Sequence, residues 1–357
     1  MKKGATKPKE EEATLYTCEP VDWLWMPKPL RKIVGWTTIM IFAFSFASIP
    51  MCGVFLVPYV WRVAPVCTGV SLSLVITSFL VPAKEWPFMR TVGQLWYEIF
   101  QVSANRSTEQ LMSSIDFADD HQLMICMHPH GIVPFHAVLW AAYCNQYCSD
   151  AKTNRNLYGF GAAADAVAYV PFLRNIMGWL SAGSATYSVL KAGLAEGKAP
   201  SVNAAGRKPK HLYILPGGVA EIFTSAPGRH SIVFKKRRGL VKLAIETQTC
   251  MIPCYVFGGT DFYHNLATDG GFFARLSRKT RAGLTLFWGP YYSPVPYAPK
   301  ITIVMGEPIP PPSWDKEGAI PADKIEELHA VFLKQMIELF DRYKAGAGYP
   351  DAQLEVL

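Results

Sequence analysis

Two histidines separated by one proline are the residues of this sequence best placed to do chemistry. His128, Pro129, His130 and Gly131 follow an apolar run, residues 123–127, that is typical of a buried strand. Pro129 cannot donate to a sheet ladder and Gly131 permits a tight turn, so the strand should end sharply before an apolar helix. Such turns present reactive groups on a rigid scaffold, and imidazole exchanges a proton near neutral pH.

The spacing alone leaves three roles open for these imidazoles. They could be structural, with their ring nitrogens bonded to backbone, or one of them could be a general base. They could also bind a metal, because two histidines two apart in a strand point the same way. The rest of the chain must decide between these roles.

A second strand leads into a double glycine and a carboxylate. Residues 211–215 read as a strand and are followed by Gly217, Gly218 and Glu221. Two glycines after a strand let backbone amides approach a ligand closely, and Glu221 should sit at or just inside the next turn. Ligands of open α/β sheets bind beyond the carboxyl ends of strands, where the histidines should also lie.

Positive charge is concentrated in four consecutive cations, residues 235–238, just before a helix-like segment. Cations at a helix start oppose the helix dipole, which favours a reason other than stability, such as a bound phosphate. The alternative is a solvated surface run. The formal net charge of +7 suits an anionic partner: lipid headgroups, nucleic acid or a phosphorylated ligand.

Composition and charge spacing predict a membrane contribution. Hydrophobic residues make up 50% of the chain and charged residues only 18%. Two uncharged stretches, roughly 33–57 and 63–83, are each near the ~20 residues that a bilayer crossing needs. Lys and Arg flank both outer ends, which places both ends in the cytosol. The alternative is one kinked span or a re-entrant hairpin.

Strands alternating with helices indicate an α/β domain after this hairpin. The expected organisation is a flexible cytosolic tail over 1–30, a membrane hairpin over 31–84 and a cytosol-facing domain over 85–357. Within that domain, residues 260–300 form a basic amphipathic insertion of the kind that lies on anionic membranes. The eight cysteines are scattered and are interpreted as packing residues, with zinc as the alternative for the 144/148 and 250/254 pairs.

Seven blocks in this order resemble the type 2 diacylglycerol O-acyltransferase family, which includes monoacylglycerol and wax-alcohol acyltransferases. They are the membrane hairpin and residues His128–Gly131, Pro171–Arg174, Gly217–Glu221, Arg238–Ala244, Pro253–Gly258 and Gly306–Ile309. The resemblance implies a glycerolipid-acyltransferase-like mixed sheet flanked by helices. It also implies an endoplasmic reticulum membrane enzyme, sometimes moved to lipid droplets, that transfers a fatty acyl group from acyl-CoA to diacylglycerol.

The more distant glycerolipid acyltransferases use a His-x4-Asp motif, from which this chain departs. Val133 and Phe135 stand where that aspartate would follow His128 or His130. Glu221 is therefore the candidate for the group that orients the catalytic imidazole.

The reaction that the resemblance implies needs a base to take the alcohol proton, worth about 10²–10⁴-fold. We expect direct transfer with His130 as base, His128 holding position and no acyl-enzyme, since no nucleophile elbow is present. Amides near Gly131 or the double glycine would meet the oxyanion. The expected substrate-binding residues are Pro129, Gly131, Arg174, Asn175, Gly217, Gly218, Arg237, Arg238 and Lys242, the cations among them facing the CoA phosphates.

The partners expected are acyl-CoA, diacylglycerol and membrane lipid, with no metal, no cofactor beyond the acyl-CoA co-substrate and no nucleic acid. A homo-oligomer stays open. The rival readings are a monoacylglycerol or long-chain alcohol acyltransferase of the same build, a non-catalytic lipid-droplet anchoring protein, and a His/Glu metal hydrolase.

Overall fold

A computed structural model describes residues 13–51, 64–106, 122–147, 149–150, 155–156, 159–196, 211–266, 270–280, 283–315 and 318–357. The strands are β1 (Tyr16–Thr17), β2 (Ser103–Ala104), β3 (Leu123–His128), β4 (Ser149–Asp150), β5 (Arg155–Asn156), β6 (Phe160–Ala163), β7 (Ala182–Ser184), β8 (Leu212–Ile214), β9 (Ser231–Ile232), β10 (Cys250–Phe257), β11 (His264–Asn265), β12 (Phe287–Trp288), β13 (Thr302–Met305) and β14 (Glu355–Val356). The helices are α1 (Lys28–Met51), α2 (Pro65–Leu80), α3 (Phe88–Val92), α4 (Phe135–Tyr147), α5 (Leu173–Trp179), α6 (Tyr187–Glu196), α7 (Val219–Thr224), α8 (Arg238–Thr247), α9 (Phe272–Thr280) and α10 (Ala322–Tyr343).

An eight-stranded mixed sheet, in the order β1-β2-β13-β10-β3-β8-β6-β7, forms the centre of the described chain. Strands β10, β3, β8, β6 and β7 are mutually parallel, whereas β13 runs antiparallel to β10. The carboxyl ends of these five strands therefore share one edge. The turns after β3, β8 and β10 carry the histidines, the double glycine and Gly258, so the topology brings them to that edge.

Alternate side chains of β3 enter two different cores, one on each face of the sheet. Ile125 and Met127 join a cluster that includes α1 and α4, while Met124 and Cys126 join one that includes α8 and α10. A strand buried on both faces reads as a continuous apolar run, which is why 123–127 shows no alternation. The predicted α/β class, with a mixed sheet flanked by helices, is confirmed.

The structure describes residues 13–30 of the segment predicted as a flexible tail. Here β1 pairs with β2 at the sheet edge, and Cys18 is 5% exposed. Asp22 and the buried Gln94 exchange hydrogen bonds of 3.0 and 2.8 Å. These partners lie about seventy residues away along the chain, so local composition carries no signal of them. Residues 1–12 lie outside the described residues.

The predicted membrane hairpin corresponds to α1 and α2, and its turn, residues 52–63, lies outside the described residues. Among the helices that the structure does describe, none combines the length and the apolar character needed to cross a bilayer. The inner face of α1 packs through Phe42 against Trp96 and Phe135, with ring centroids 5.7 and 5.4 Å apart.

Candidate active site

The end of β3 and the turn after it place the two histidines in different environments. His128 is the last residue of the strand and is fully buried, with its ring edge-on to Phe234. His130 lies in the turn and is half-buried. Gly131 adopts a left-handed φ of +67°, and a Cβ at this position would collide with the Gly259 carbonyl oxygen of the turn after β10.

Glu221 is the hub of the site. It lies in the first turn of α7 and is 1% exposed. Its Oε1 accepts from His128 Nδ1 at 2.7 Å and from the Val233 amide at 2.8 Å, and its Oε2 accepts from the His130 amide at 2.6 Å. Burial would raise the pKa of this carboxyl, but His128 and the donated hydrogen bonds outweigh burial and hold the pKa below 4.5.

Gly217 makes room for that carboxylate. The Glu221 side chain folds back over it, and a Cβ at Gly217 would overlap the carboxyl group. Gly218 precedes α7 with a left-handed φ of +52° and donates its amide to the Leu215 carbonyl at 3.1 Å. The two positions thus require glycine for different reasons: Gly217 leaves space for the carboxylate, and Gly218 adopts the positive φ of the turn.

The ring of His130 is held by its own turn. Its Nδ1 lies 2.9 Å from the Gly131 carbonyl, which can only accept, so Nδ1 carries the proton and Nε2 has the lone pair. Burial lowers the pKa of His130 below 6.5, although the hydrogen bond to Gly131 opposes the shift. His130 is therefore neutral at pH 7, with the electron pair on Nε2.

The expected contact between Glu221 and the His130 ring is replaced by two others. The carboxylate holds the ring of His128, and it holds His130 only through the backbone amide. The His130 ring is instead engaged through Nδ1 with the Gly131 carbonyl of its own turn. His128 Nε2 is buried and has no hydrogen-bond partner among the described residues.

Arg174 and Asn175 contact the end of α2 and not the histidines. Arg174 Nη1 donates to the Ser78 carbonyl at 2.9 Å and lies over the Phe79 ring, and Asn175 Nδ2 donates to the Val81 carbonyl at 3.0 Å. The last carbonyls of a helix lack intrahelical partners, and these side chains supply them. These contacts hold α2 to α5, and the predicted substrate contacts of Arg174 and Asn175 stay a prediction.

The predicted phosphate-binding cations divide into two kinds. Arg238 is bidentate to Glu326 of α10, with both N···O distances 2.6 Å, so its fork is already occupied. Arg237 and Lys242 are exposed, and Arg237 Nη2 donates to the Gly217 carbonyl at 2.8 Å. Arg237 thus touches the turn that holds Glu221, whereas Arg238 joins α8 to α10.

A family model described as "Diacylglycerol acyltransferase" matches residues 78–357. The chain belongs to the diacylglycerol acyltransferase family. The matched region contains every residue of the Glu221 hub and all of the central sheet except β1. The protein is an acyltransferase.

Curated relatives of this acyltransferase carry more than one acceptor in their names. Acyl-CoA wax alcohol acyltransferase 2 of Mus musculus is 26% identical over 68% of this chain and 72% of its own length. Diacylglycerol O-acyltransferase 2-like protein 6 of Homo sapiens is 24% identical over 82% and 93%. Diacylglycerol O-acyltransferase 2 of Mus musculus is 26% identical over 69% and 62%. The solved 1-acyl-sn-glycerophosphate acyltransferase of Thermotoga maritima aligns with 85% of the chain and 97% of its own, at a TM-score of 0.37 and 13% identity, which is too distant to carry an argument.

Two features of the acyltransferase's site were not found from the sequence. The Val233 amide, just after β9, is a third donor to Glu221, and nothing in the sequence signals it. His136, in the first turn of α4, is fully buried, and neither ring nitrogen has a hydrogen-bond partner in the described chain. Burial lowers the pKa of His136 to about 3, with proximity to His130 as the smaller cause. Its nearness in sequence to the histidine pair was the available signal.

The histidine and carboxylate pattern does not extend to a metal centre within the described residues. No three His, Cys, Asp or Glu side chains there are arranged to hold a metal ion. Five cysteines are buried free thiols: Cys18, Cys126, Cys144, Cys250 and Cys254. Those of the 250/254 pair have a raised pKa because they are buried, which suits packing better than nucleophilic work.

Proposed function

We propose that this acyltransferase transfers a fatty acyl group from acyl-CoA to diacylglycerol, with His130 as the general base. The observation that carries the proposal is the state of the His130 ring: half-buried, fixed through Nδ1 to Gly131, and neutral, with a free electron pair on Nε2. A base that removes an alcohol proton needs this protonation state at pH 7.

The proposed reaction forms one C–O bond and breaks one C–S bond. The acceptor hydroxyl attacks the thioester carbon while His130 Nε2 takes its proton. The tetrahedral intermediate collapses with loss of the CoA thiolate, which receives that proton from His130. The Gly131 amide, which makes no hydrogen bond among the described residues, is the proposed oxyanion donor, because the Gly218 amide is already used in its turn.

Glu221 and His128 act as positioning residues in this proposal. The carboxylate fixes both the His130 backbone and the His128 ring. The His130 ring is thus positioned through its backbone, without a direct contact to Glu221. A direct role for His128 as base is the competing assignment. It is supported by the Glu221 contact to Nδ1, but complete burial of its ring opposes it.

The proposed CoA site uses the exposed cations near the Gly217 turn. Arg237 and Lys242 are free to face phosphates, whereas Arg238 is committed to Glu326. Phosphate binding by arginine is typically bidentate, and Arg237 uses only one nitrogen on Gly217. No cofactor beyond acyl-CoA is proposed.

The acceptor is proposed to come from an endoplasmic reticulum membrane or a lipid droplet, with both chain ends in the cytosol. Support comes from apolar side chains exposed on α1 and α2, among them Ile41, Leu74 and Ile76. An open groove of about 750 Å³ also runs along one face of α1 and is lined by Lys32, Ile33, Trp36, Thr37, Met40, Ile41 and Phe44. Exposed apolar patches of this kind mark membrane or partner contacts.

A wax-alcohol acceptor is the second candidate, because a relative that matches 68% of the chain is named for that reaction. Radiolabelled acyl-CoA supplied with diacylglycerol, monoacylglycerol or a long-chain alcohol separates the acceptors. Expression in cells unable to make triacylglycerol, followed by lipid analysis, tests the proposed product. Formation of wax esters alone would replace the proposed acceptor, and membrane targeting without turnover would favour an anchoring protein.

His130→Ala tests the base. It should lower kcat by about 10²–10⁴-fold with the protein still folded, because alcohol attack loses its proton acceptor. Lys334→Ala, at an exposed position of α10, is the matched control and should keep full turnover. If His128→Ala abolishes turnover while His130→Ala keeps it, the base is His128.

A further inference from the structure

The segment between β10 and β13 presents exposed rings and cations that the proposed reaction does not use. We call this the insertion surface and define it by Leu266, Phe272, Arg275, Lys279, Tyr291 and Tyr292. Its aromatic side chains are large and mostly exposed to solvent: 66% for Phe272, 99% for Tyr291 and 85% for Tyr292. Large exposed apolar groups gathered on one segment mark an interaction site.

The two tyrosines are held outward by strained backbone. Tyr291 and Tyr292 have φ values of +54° and +55°, in the left-handed region that costs a side-chain-bearing residue free energy. The loop is closed by a 2.7 Å bond from the Gly289 amide to the Ser293 carbonyl, and the Tyr292 ring contacts Trp288 at 5.8 Å. Backbone outliers of this kind cluster at functional sites.

Helix α9, in the same segment, adds exposed positive charge. Phe272, Arg275 and Lys279 face out at helical spacing, while Ala274 and Ser277 face in and are fully buried. Neither Arg275 nor Lys279 forms an ion pair within the described residues. The sequence has no Asp or Glu from residue 270 to residue 306, so this charge is not neutralised locally.

We propose that the insertion surface docks on an anionic lipid bilayer, as a contact separate from the α1–α2 hairpin. Tyrosine and tryptophan rings settle at the boundary between headgroups and acyl chains, and exposed cations beside them attract anionic lipids. A protein partner would need acidic groups facing Arg275 and Lys279 and a fit to the strained rings. A bilayer supplies both the charge and the apolar layer without such a fit.

The same segment packs against α7, the helix that carries Glu221. Phe273 packs with Phe223 and Val219 of α7, and Asn265 Nδ2 donates to the Ile222 carbonyl at 2.8 Å. Contacts therefore reach α7 next to the catalytic hub. Docking on a bilayer would therefore affect the position of Glu221 through α7. This effect rests on the proposed function, whereas the docking itself does not.

A depth probe tests the docking without any turnover. The full chain carrying Tyr292→Cys is labelled with an environment-sensitive fluorophore and placed in phosphatidylcholine vesicles with or without phosphatidylserine. A Lys334→Cys probe on exposed α10 is the matched control. We expect a blue shift and quenching by brominated lipid at residue 292 but not at residue 334, stronger with phosphatidylserine and lost with Arg275→Glu and Lys279→Glu together.

Two results would overturn the proposal. One is a residue 292 probe that stays as open to aqueous iodide as the residue 334 probe. The other is a blue shift that depends on protein concentration and not on lipid, which would assign the surface to a second protein copy. Turnover is measured in the same vesicles, so loss of activity in every sample would count against the proposed function and leave the depth result intact.

Discussion

Glu221 shows how one side chain can hold two histidines by different atoms. Its carboxylate accepts hydrogen bonds of 2.6–2.8 Å from the His128 ring, the His130 amide and the Val233 amide. The sequence identified Glu221, His128 and His130 by residue type and by their places at strand ends. The sequence could not assign the contacts of Glu221 with the two histidines, because these depend on the orientation that the turn gives to each ring.

Gly217→Ala tests the hub through a residue that itself does no chemistry. The new methyl group would occupy the position of the Glu221 carboxyl, which must move away from its three donors. We expect kcat to fall by roughly a hundredfold, in line with other losses of groups that orient catalytic ligands, with acyl-CoA KM little changed. Steady-state kinetics with a thermal melt of each variant measures this.

The control is Gly239→Ala, at the start of α8, where an added Cβ meets nothing within 4 Å. It should leave kcat intact. Equal loss of activity in both variants would show that the effect is general and that the Gly217 position has no special link to Glu221.

The pH profile reports the protonation of His130. Only neutral imidazole can accept the proton, and burial lowers the pKa of His130 below its usual 6.5. Activity should therefore be flat through pH 7, with an acid limb in kcat/KM below pH 6.5. Measurement from pH 5 to 8 tests this, and a limb above 6.5 would contradict it.

Unfolding in acid is separable from that limb. The pKa of Glu221 is held below 4.5, so the stability that its ionised form contributes is present above that pH and is lost as the pH falls through the lowered value. Circular dichroism over pH 5 to 8 should thus stay constant while the rate changes.

Whole elements were easier to predict than the partners of polar residues. The runs 123–127 and 211–215 predicted strands that the structure shows as β3 and β8. The protein contacts of Arg174 and Arg238 could not be predicted, because an arginine that caps a distant helix and one that binds phosphate look alike in sequence. Their actual partners lie more than eighty residues away.

Arg237→Ala and Arg238→Ala, on neighbouring residues at the start of α8, separate the two roles. Arg237→Ala should raise the acyl-CoA KM roughly tenfold, the loss of one charge-assisted contact of ~1.5 kcal/mol. Arg238→Ala should leave that KM unchanged and lower the free energy of unfolding only slightly, because its pair with Glu326 is exposed to solvent. A raised acyl-CoA KM in the Arg238 variant would show that Arg238 contributes to binding CoA.

At the scale of the whole molecule, the N-terminal segment closes one edge of the catalytic sheet. β1 pairs with β2, the Cys18 amide donates to the Val102 carbonyl at 2.9 Å, and the Trp23 indole donates to the Thr91 carbonyl at 2.8 Å. Asp22 also satisfies the amide of Gln94, which is fully buried. The N-terminal segment is thus joined to the central sheet and to residues 91–94 ahead of α1.

Deletion of residues 1–24 should therefore destabilise the domain as well as shorten it. Leaving the Gln94 amide without Asp22 costs about 1–3 kcal/mol by itself, and the sheet edge is lost in addition. Chemical unfolding of the full chain in micelles measures the loss, and deletion of residues 1–12, which leaves all of these contacts in place, is the control. Because four strands separate β1 from β8, whose turn carries the proposed CoA contact, stability should fall while the acyl-CoA KM is kept. Equal stability of the two deletions would show that the segment is dispensable.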